Sequence, residues 1–250
     1  EFNAGERLYI GKTVAYEPGV KEHFDRYDFA KKYLKPDFIV LDAACGTGYG
    51  SEILADYVKK VIGLEISDHA LEWGRSHHQK PNIEFKKADL NKPIDLLDNY
   101  FDAIISFETL EHVEHQENML AEFKRVLKPG GVLIISSPDR EIITEKGGTD
   151  NRFHINELSK KEFVTILGKN FKLENIFGQT KYVILPWYKK IIKLIAKLDV
   201  LKIRRKIVQL LRLNFFFHKH LAPMAYSSIE RVNFDTPNDY YVLIAVCKKS

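Results

Sequence analysis

Continuous apolar runs alternate with amphipathic stretches over most of the first 170 residues of this chain. The apolar runs lack polar alternation, which is typical of strands covered on both faces. Alternation of such strands with helices predicts right-handed crossovers and a parallel sheet. Ser159, followed three residues later by Glu162, is a start signal for the last of these helices. The predicted strands span residues 38–42, 61–65, 83–86, 101–107 and 132–137, and the predicted helices lie near residues 20–34, 49–58, 68–79, 116–127 and 159–169.

The pattern changes towards the end of the chain. Residues 171–177 and 240–247 read as strands without an ordinary crossover helix between them, so we predict an antiparallel pair that ends the sheet. Residues 186–221, between the two, have apolar positions at helical spacing and predict a helical insertion. We therefore expect an α/β fold in one domain, residues 1–250, with residues 1–35 as an N-terminal helical cap. Its sheet is doubly wound and mostly parallel with an antiparallel last strand.

Composition places the chain among globular proteins. It has 250 residues, of which 45% are hydrophobic and 29% charged, which excludes disordered and fibrous classes. The two cysteines, Cys45 and Cys247, form no disulfide framework and indicate a reducing compartment. Because no uncharged apolar run of membrane-spanning length or signal segment is evident, we expect a soluble, cytoplasmic protein.

Charge is concentrated in the insertion. Residues 189–219 carry ten Lys or Arg and one acid, a net charge of +9, which leaves −5 for the rest of a chain whose total is +4. A mildly acidic body disfavours a nucleic-acid partner. Residues 186–221 have five interpretations. They are a cap packed on the same chain, peripheral contact with the inner membrane face, a homodimer contact, a lid over the acceptor, or a surface that attracts an acidic substrate such as a nucleotide sugar or phosphate.

A small-residue turn follows the first predicted strand. The strand ends in Asp42, and Gly46 and Gly48 then remove side chains where a ligand approaches the backbone of a helix start. The second strand ends in Glu65, about 20 residues further on, where a carboxylate accepts hydrogen bonds from ribose hydroxyls. The two features together indicate a cofactor that contains a nucleoside.

The spacing of the turn argues against a dinucleotide. The dinucleotide pattern G-x-G-x-x-G is not matched, because its outer positions hold Ala44 and Tyr49. Asp42 would repel a pyrophosphate and suits a cationic group. These residues favour S-adenosylmethionine (SAM), whose amino and sulfonium groups are positively charged.

Five segments in order resemble the motifs of class I SAM-dependent methyltransferases. They are LDAACGTGYGS from Leu41, GLEIS from Gly63, KKADL from Lys86, FDAIISFETLEHV from Phe101 and LKPGGVLIISSP from Leu127. The resemblance implies a methyltransferase enzyme with a Rossmann-like doubly wound sheet and SAM as cofactor. Ala44 departs from it, since the family usually has a glycine there; we expect a tighter turn and retained binding.

The resemblance also assigns roles around the cofactor. Gly46 and Gly48 would line the methionine end, Glu65 would hold the ribose, and Asp42 would orient the turn. Ile66 would pack on the adenine, with an ordinary core position as its alternative. The expected cofactor-binding residues are Asp42, Ala44, Gly46, Gly48, Glu65, Ile66, Asp89, Leu90 and Phe107.

Histidines are the candidate catalytic residues on the acceptor side of the site. A hydroxyl acceptor profits from a general base, and histidine is the usual choice near neutral pH. His112 follows the fourth strand and His154 follows the fifth, so either is a candidate catalytic base or an ordinary loop histidine. Glu108, Glu111, His112 and His115 also invite a metal interpretation. We expect no metal, because the adjacent Glu111 and His112 should diverge and no HExxH pattern is present.

Three further segments resemble a methyltransferase subgroup of bacterial capsule and O-antigen polysaccharide synthesis. They are GERLY from Gly5, EHFDRYDFA from Glu22 and FHINELS from Phe153. This resemblance implies O-methylation of a small polar acceptor, such as a sugar, a nucleotide sugar or a phosphorylated metabolite. The alternatives are N-methylation of a small phosphorylated amine and a non-catalytic SAM-binding partner protein. The expected acceptor-side residues are His23, Tyr27, Glu108 and Arg152.

Overall fold

The computed structural model describes residues 18–142, 153–181, 228–235 and 239–250. The strands are β1 (Ile39–Ala43), β2 (Lys60–Glu65), β3 (Ile83–Lys87), β4 (Phe101–Ser106), β5 (Leu127–Pro138), β6 (Lys172–Lys181), β7 (Ile229–Arg231) and β8 (Tyr240–Lys248). The helices are α1 (Pro18–Ala30), α2 (Tyr49–Ala55), α3 (Asp68–His77), α4 (Gln116–Val126) and α5 (Lys160–Gly168). Short 3-10 turns cover Lys31–Tyr33 and Leu110–His112.

All eight strands belong to one sheet, in the order β3-β2-β1-β4-β5-β8-β6-β7. The strands from β3 to β5 in this order pair in parallel. The chain moves outwards from β1 to β3 and then crosses to the other side of β1 at β4, so the direction of winding reverses between β1 and β4. Ligands of such sheets bind at the carboxyl ends of the strands beside this reversal. The predicted doubly wound, mostly parallel sheet is confirmed.

The far edge of the sheet is antiparallel, as predicted. Strand β8 pairs antiparallel with both β5 and β6. Strand β7 pairs antiparallel with β6 and was not predicted, because three residues are too short to show a period of two. The predicted insertion at residues 186–221 lies outside the described residues, and it precedes β7 in the chain.

Apolar side chains cover both faces of the sheet. Neighbouring residues on one strand point to opposite faces, so that Ile104 and Ile105 of β4 belong to different core clusters, and both are completely buried. Helices α4 and α5 cover one face through Phe123 and Phe163, and helices α1 and α2 cover the other. This double coverage explains why the strands read as continuous apolar runs.

Two local features determine where the helices that border the site begin and how they pack. Ser159 Oγ accepts a hydrogen bond from the Glu162 N–H and the Glu162 carboxylate accepts one from the Ser159 N–H, so the predicted capping box at the start of α5 is confirmed. Helix α1 packs directly on α2 at Gly50. A Cβ at this position would fall 1.9 Å from the Tyr27 ring, so only glycine allows the two helices to approach this closely. Within the described ranges, none of the helices has the length and apolar character needed to cross a membrane.

Candidate active site

A cavity of about 610 Å³ opens at the carboxyl ends of β1, β2, β3 and β4, where the winding reverses. Helix α1 and the segment at residues 153–154 complete its walls. Segments far apart in the sequence therefore meet around one space. The predicted site residues that line it are His23, Tyr27, Ala44, Gly46, Glu65, Ile66, Asp89, Leu90, Phe107, Glu108, His112 and His154.

Three predicted site residues are not among those that line the cavity. Arg152 lies outside the described residues. Asp42 is buried behind the turn, where its carboxylate accepts hydrogen bonds from Tyr27 Oη at 3.1 Å and from Ser51 Oγ at 2.6 Å. Asp42 thus ties α1 and α2 to the end of β1, which agrees with a role in orienting the turn. Gly48 is the third, and it lies against the Phe85 ring.

Burial raises the pKa of Asp42 to about 6, against the opposing effect of its two hydrogen bonds. Because the pKa is higher in the folded state, protonated Asp42 favours folding below its ordinary value of 3.8, and this stability is lost as the pH rises through about 6. We expect wild type to lose about 3 kcal/mol relative to Asp42→Asn between roughly pH 4 and pH 7. Urea unfolding of both proteins across this range measures it. A difference in stability that is constant with pH would contradict it.

The turn after β1 contains three left-handed positions. Ala44, Gly46 and Gly48 have φ angles of 60°, 56° and 86°. Ala44 tolerates this conformation at a cost of about 1 kcal/mol, because its side chain is small. A Cβ at Gly46 would meet nothing within 4 Å, whereas a Cβ at Gly48 would fall 2.5 Å from the Phe85 ring. Gly46 therefore leaves room for a ligand, and Gly48 leaves room for the half-buried Phe85 ring.

These surroundings predict opposite effects for two alanine substitutions. Gly48→Ala combines backbone strain with a clash against the Phe85 ring and should lower the free energy of unfolding by about 2–5 kcal/mol. Gly46→Ala adds only the strain, about 1 kcal/mol, but places a methyl group in the cavity and should weaken cofactor binding by about tenfold. Chemical unfolding and calorimetric titration with SAM measure the two effects. Equal losses of stability in both variants would contradict this assignment.

Glu65 lies at the end of β2 and is buried. Its Oε2 accepts a hydrogen bond from the Gly46 N–H at 3.1 Å and its Oε1 accepts one from the Ser67 N–H at 2.9 Å. A carboxylate offers about four acceptor positions, which is more than these two N–H groups use. The side chain is thus held against the turn, in the place predicted for a partner of ribose hydroxyls.

The cavity wall beyond Glu65 has an apolar and a charged part. Ile66 is 50% exposed although it is large and apolar, and it lines the cavity. Asp89 accepts a hydrogen bond from the Asn91 N–H at 3.0 Å and pairs with Lys92 at 3.3 Å; the first contact in particular lowers its pKa. An exposed flat apolar wall next to a fixed carboxylate suits a heteroaromatic ring with an N–H donor.

Neutral aromatic rings close the opposite wall. The Tyr27 ring meets the rings of Phe107 and Tyr49 edge-on, at centroid distances of 5.1 and 5.6 Å. His23 Nδ1 lies 3.1 Å from Tyr49 Oη, and burial with the nearby Arg26 charge lowers the pKa of His23 to about 3. Such uncharged rings attract a cation through their π faces. Tyr49 was not predicted as a site residue, because in the sequence it stands out only as the residue that replaces the last glycine of the dinucleotide pattern.

Two carboxylates follow β4. Glu108 has a left-handed φ of 50°, and its Oε1 accepts a hydrogen bond from Ser136 Oγ at 2.7 Å. The Glu111 side chain is completely buried; its Oε2 accepts a hydrogen bond from Ser137 Oγ at 3.3 Å, and its Oε1 has no partner among the described residues. Burial first, and the Glu108 charge second, raise the pKa of Glu111 well above its ordinary range. Strained backbone and a buried acid are typical of functional sites.

The two predicted histidines lie side by side, with ring centroids 5.0 Å apart. His112 Nδ1 contacts the Phe153 carbonyl at 3.0 Å, and His154 Nδ1 contacts Glu157 Oε1 at 2.7 Å. Both acceptors are oxygens that carry no proton for donation, so each Nδ1 is the N–H donor. The structure thus brings both candidate bases to one place at the end of the cavity.

The expectation that Glu111 and His112 diverge is wrong. Glu111 Oε1 and His112 Nε2 lie 3.9 Å apart, and both residues belong to the 3-10 turn Leu110–His112. One ligand atom from each of Glu111, His112 and His154 lies within 4.8 Å of the others. His154 comes from a segment more than 40 residues away, which the spacing around the fourth strand could not reveal.

Comparison with known proteins gives consistent matches. A family model described as a methyltransferase domain matches residues 41–135. A protein of Mycolicibacterium smegmatis named as a probable S-adenosylmethionine-dependent methyltransferase is 34% identical over 143 residues, which cover 56% of this chain and 54% of that protein. Phosphoethanolamine N-methyltransferase 3 of Arabidopsis thaliana is 33% identical over 142 residues, which cover 52% of this chain and 28% of that protein.

The solved structures extend the likeness along the chain. The crystal structure of the YcgJ protein from Bacillus subtilis has a TM-score of 0.63 with 16% identity, and the match covers 91% of this chain and 100% of that one. At this identity the match shows the fold. The chain spans about half the length of the first curated relative and less of the second.

Proposed function

We propose that this chain is a class I SAM-dependent methyltransferase that transfers a methyl group from SAM to an oxygen atom of a small polar acceptor. The match of residues 41–135 to a family model described as a methyltransferase domain supports the proposal. The family matches confirm two predictions from the sequence, a methyltransferase and SAM as its cofactor. The observation that carries the proposal is the cavity itself. It places a carboxylate, a cap of neutral rings and a pair of histidines around one space at the carboxyl ends of the strands.

The described residues fit SAM in the order of its parts. The open space at Gly46 suits the methionine end, the Glu65 carboxylate suits ribose hydroxyls, and Ile66 with Asp89 suits an adenine ring. The neutral Tyr27, Tyr49 and Phe107 rings suit a cationic sulfur. SAM supplies a methyl group that transfers to the acceptor oxygen while the C–S bond breaks and its electron pair stays on sulfur, which leaves S-adenosylhomocysteine.

The histidine pair marks the acceptor side. A neutral imidazole with its N–H at Nδ1 has a lone pair on Nε2 that accepts a hydrogen bond from an acceptor hydroxyl, and orientation of that oxygen towards the methyl group contributes much of the rate. His112 or His154 as the base that takes the hydroxyl proton stays a prediction. Glu108 also lines this part of the cavity, while His23 and Tyr27 lie in the α1 wall.

The acceptor class follows from the sequence resemblance. We propose a sugar or phosphorylated intermediate of surface-polysaccharide synthesis, on the segments from Gly5, Glu22 and Phe153 that resemble that subgroup. N-methylation of a small phosphorylated amine is the second candidate, because one relative is a phosphoethanolamine N-methyltransferase by name. The cytoplasmic location, the lack of a nucleic-acid partner, and contact with a membrane or a second copy through residues 186–221 remain predictions.

Two measurements test the proposed function. Calorimetry should show binding of SAM and of S-adenosylhomocysteine to the purified chain. Release of S-adenosylhomocysteine should then be followed with sugars, nucleotide sugars and phosphorylated amino alcohols. Turnover on hydroxyl acceptors supports O-methylation, and turnover confined to amines favours the second candidate. Tight cofactor binding without turnover on any acceptor would overturn the enzyme proposal in favour of a binding protein, and no cofactor binding would overturn both.

A further inference from the structure

Arg26 of helix α1 is a buried positive charge that has no acidic partner among the described residues. Its exposed fraction is 2%. Its Nη1 donates a hydrogen bond to the neutral side chain of Gln179, with 2.7 Å between Nη1 and Oε1, and its Nε is buried without a partner in the described part of the chain. A guanidinium has five N–H donors, so most of this donor capacity is unused there. Burial of a charge without a counter-charge is strongly unfavourable, which points to a missing anion.

The sheet places Arg26 at the edge where the cavity opens. Gln179 of β6 lies opposite Val242 of β8, which lies opposite Pro138 at the carboxyl end of β5. Three strands separate β6 from β1, so a guanidinium that is bonded to Gln179 lies towards the β5 side of the cavity. On α1, Arg26 follows His23 by three residues, which puts both on one side of the helix, and His23 lines the cavity.

The charge of Arg26 acts on residues that line the cavity. Burial first, and the Arg26 charge second, lower the pKa of His23 to about 3. The same charge opposes the rise that burial causes in the pKa values of Tyr49 and Glu111. All three residues line the cavity, whereas Arg26 does not. Because an attraction between charges is several times stronger away from bulk water, Arg26 stabilises an anion in this part of the cavity.

The lining itself supplies no such charge. Within the described ranges, no lysine or arginine lines the cavity, and four acidic residues do: Glu65, Asp89, Glu108 and Glu111. These acids disfavour an anionic ligand unless a cation offsets them. We infer that Arg26 is a specificity-determining residue that favours an acceptor with an oxyanion, either a carboxylate or a phosphate group, besides the hydroxyl that is methylated. This inference rests on the proposed function and narrows its acceptor class.

The melting temperature of Arg26→Met separates a charge that serves a ligand from a structural one. Methionine keeps an unbranched side chain and removes the charge. The ligand-free variant should melt at or above the wild-type temperature, because removal of an unpaired buried charge offsets the hydrogen bond that Gln179 loses. A clearly lower melting temperature would show that Arg26 serves to hold α1 on Gln179, and would overturn the inference.

Inorganic phosphate and acetate are the probes for the oxyanion. The whole chain, saturated with S-adenosylhomocysteine, is titrated with each probe by calorimetry. Wild type should bind one of them, which distinguishes a phosphate from a carboxylate site, and Arg26→Met should bind it about 10- to 100-fold more weakly. Arg26→Lys keeps the charge without the planar fork and should lie between the two. Lys21→Met removes an exposed cation of the same helix and should bind like wild type.

Paired acceptors measure the specificity directly. Release of S-adenosylhomocysteine is compared between a sugar and its phosphate, and between a neutral sugar and the corresponding uronic acid. Wild type should have a KM about 10- to 100-fold lower for one anionic member. Arg26→Met should lose this preference, while kcat at saturating acceptor stays near that of wild type, because the charge acts on binding of the acceptor rather than on methyl transfer.

Further outcomes would also overturn the inference. One is that wild type binds neither probe, or that Arg26→Met binds them equally well, which would place the anion elsewhere, such as at the basic residues 189–219. Another is a wild-type preference for the neutral acceptors. A third is a loss of affinity for S-adenosylhomocysteine itself in Arg26→Met, which would assign the charge to the carboxylate of the cofactor. Failure of wild type to bind S-adenosylhomocysteine would instead count against the proposed function, and titration of the ligand-free chain with phosphate and acetate would still test Arg26.

Discussion

Replacement of Glu65 with alanine should remove most of the affinity for SAM, with Kd rising about 10²- to 10³-fold. The loss has two sources. Hydrogen bonds from two ribose hydroxyls to a carboxylate contribute about 1.5–3 kcal/mol each. In addition, the same carboxylate accepts hydrogen bonds from the Gly46 and Ser67 N–H groups, so its removal also loosens the turn on which the methionine end rests.

Calorimetric titration with SAM and with S-adenosylhomocysteine measures this effect, with two variants for comparison. Glu84→Ala is the matched control, because Glu84 lies on the neighbouring strand β3, is half exposed and pairs with Lys60 away from the cavity. It should bind SAM like wild type. Glu65→Gln keeps an acceptor oxygen but loses the charge, so its affinity for SAM should lie between the affinities of Glu65→Ala and Glu84→Ala. Normal affinity in a folded Glu65→Ala protein would show that the ribose lies elsewhere.

The order of strands and helices could be predicted because each element carries its own pattern. Both faces of the sheet are covered, so β1, β4 and β5 read as apolar runs, and Ser159 with Glu162 marks the start of α5. Strand β7 carries no such pattern, since it is three residues long and depends on its pairing with β6. The prediction therefore succeeded where the physical signal is local.

The sequence predicts which residues lie at the site, because the strand that each one follows determines its place. It does not predict the directions of their side chains. The ends of β1 and β2 place Gly46 and Glu65, because parallel strands end at one edge of the sheet. The direction of a side chain depends on backbone angles that the sequence pattern does not reveal. Gly48 faces Phe85 rather than the cavity, and Glu108 takes a left-handed conformation unusual for glutamate. Contacts across long separations, such as His112 with Phe153, were equally out of reach.

Replacement of either histidine at the acceptor end should lower turnover by about 10²-fold or more, while SAM affinity stays near that of wild type. The reason is position: His112 and His154 line the cavity beside Glu108, and their Nδ1 atoms contact the Phe153 carbonyl and the Glu157 carboxylate. Single-turnover rates and calorimetry on His112→Ala and His154→Ala measure the two quantities. His115→Ala is the control from the same loop and should keep the full rate.

The pattern of losses separates two ways in which the pair acts. A single general base predicts that one histidine matters far more than the other, because the second would only support it. Two histidines that together orient the acceptor oxygen predict similar losses in both variants. Full rates in both histidine variants would show that the acceptor loses its proton without either residue, and the acceptor would then have to approach the methyl group from the α1 wall beside His23 and Tyr27.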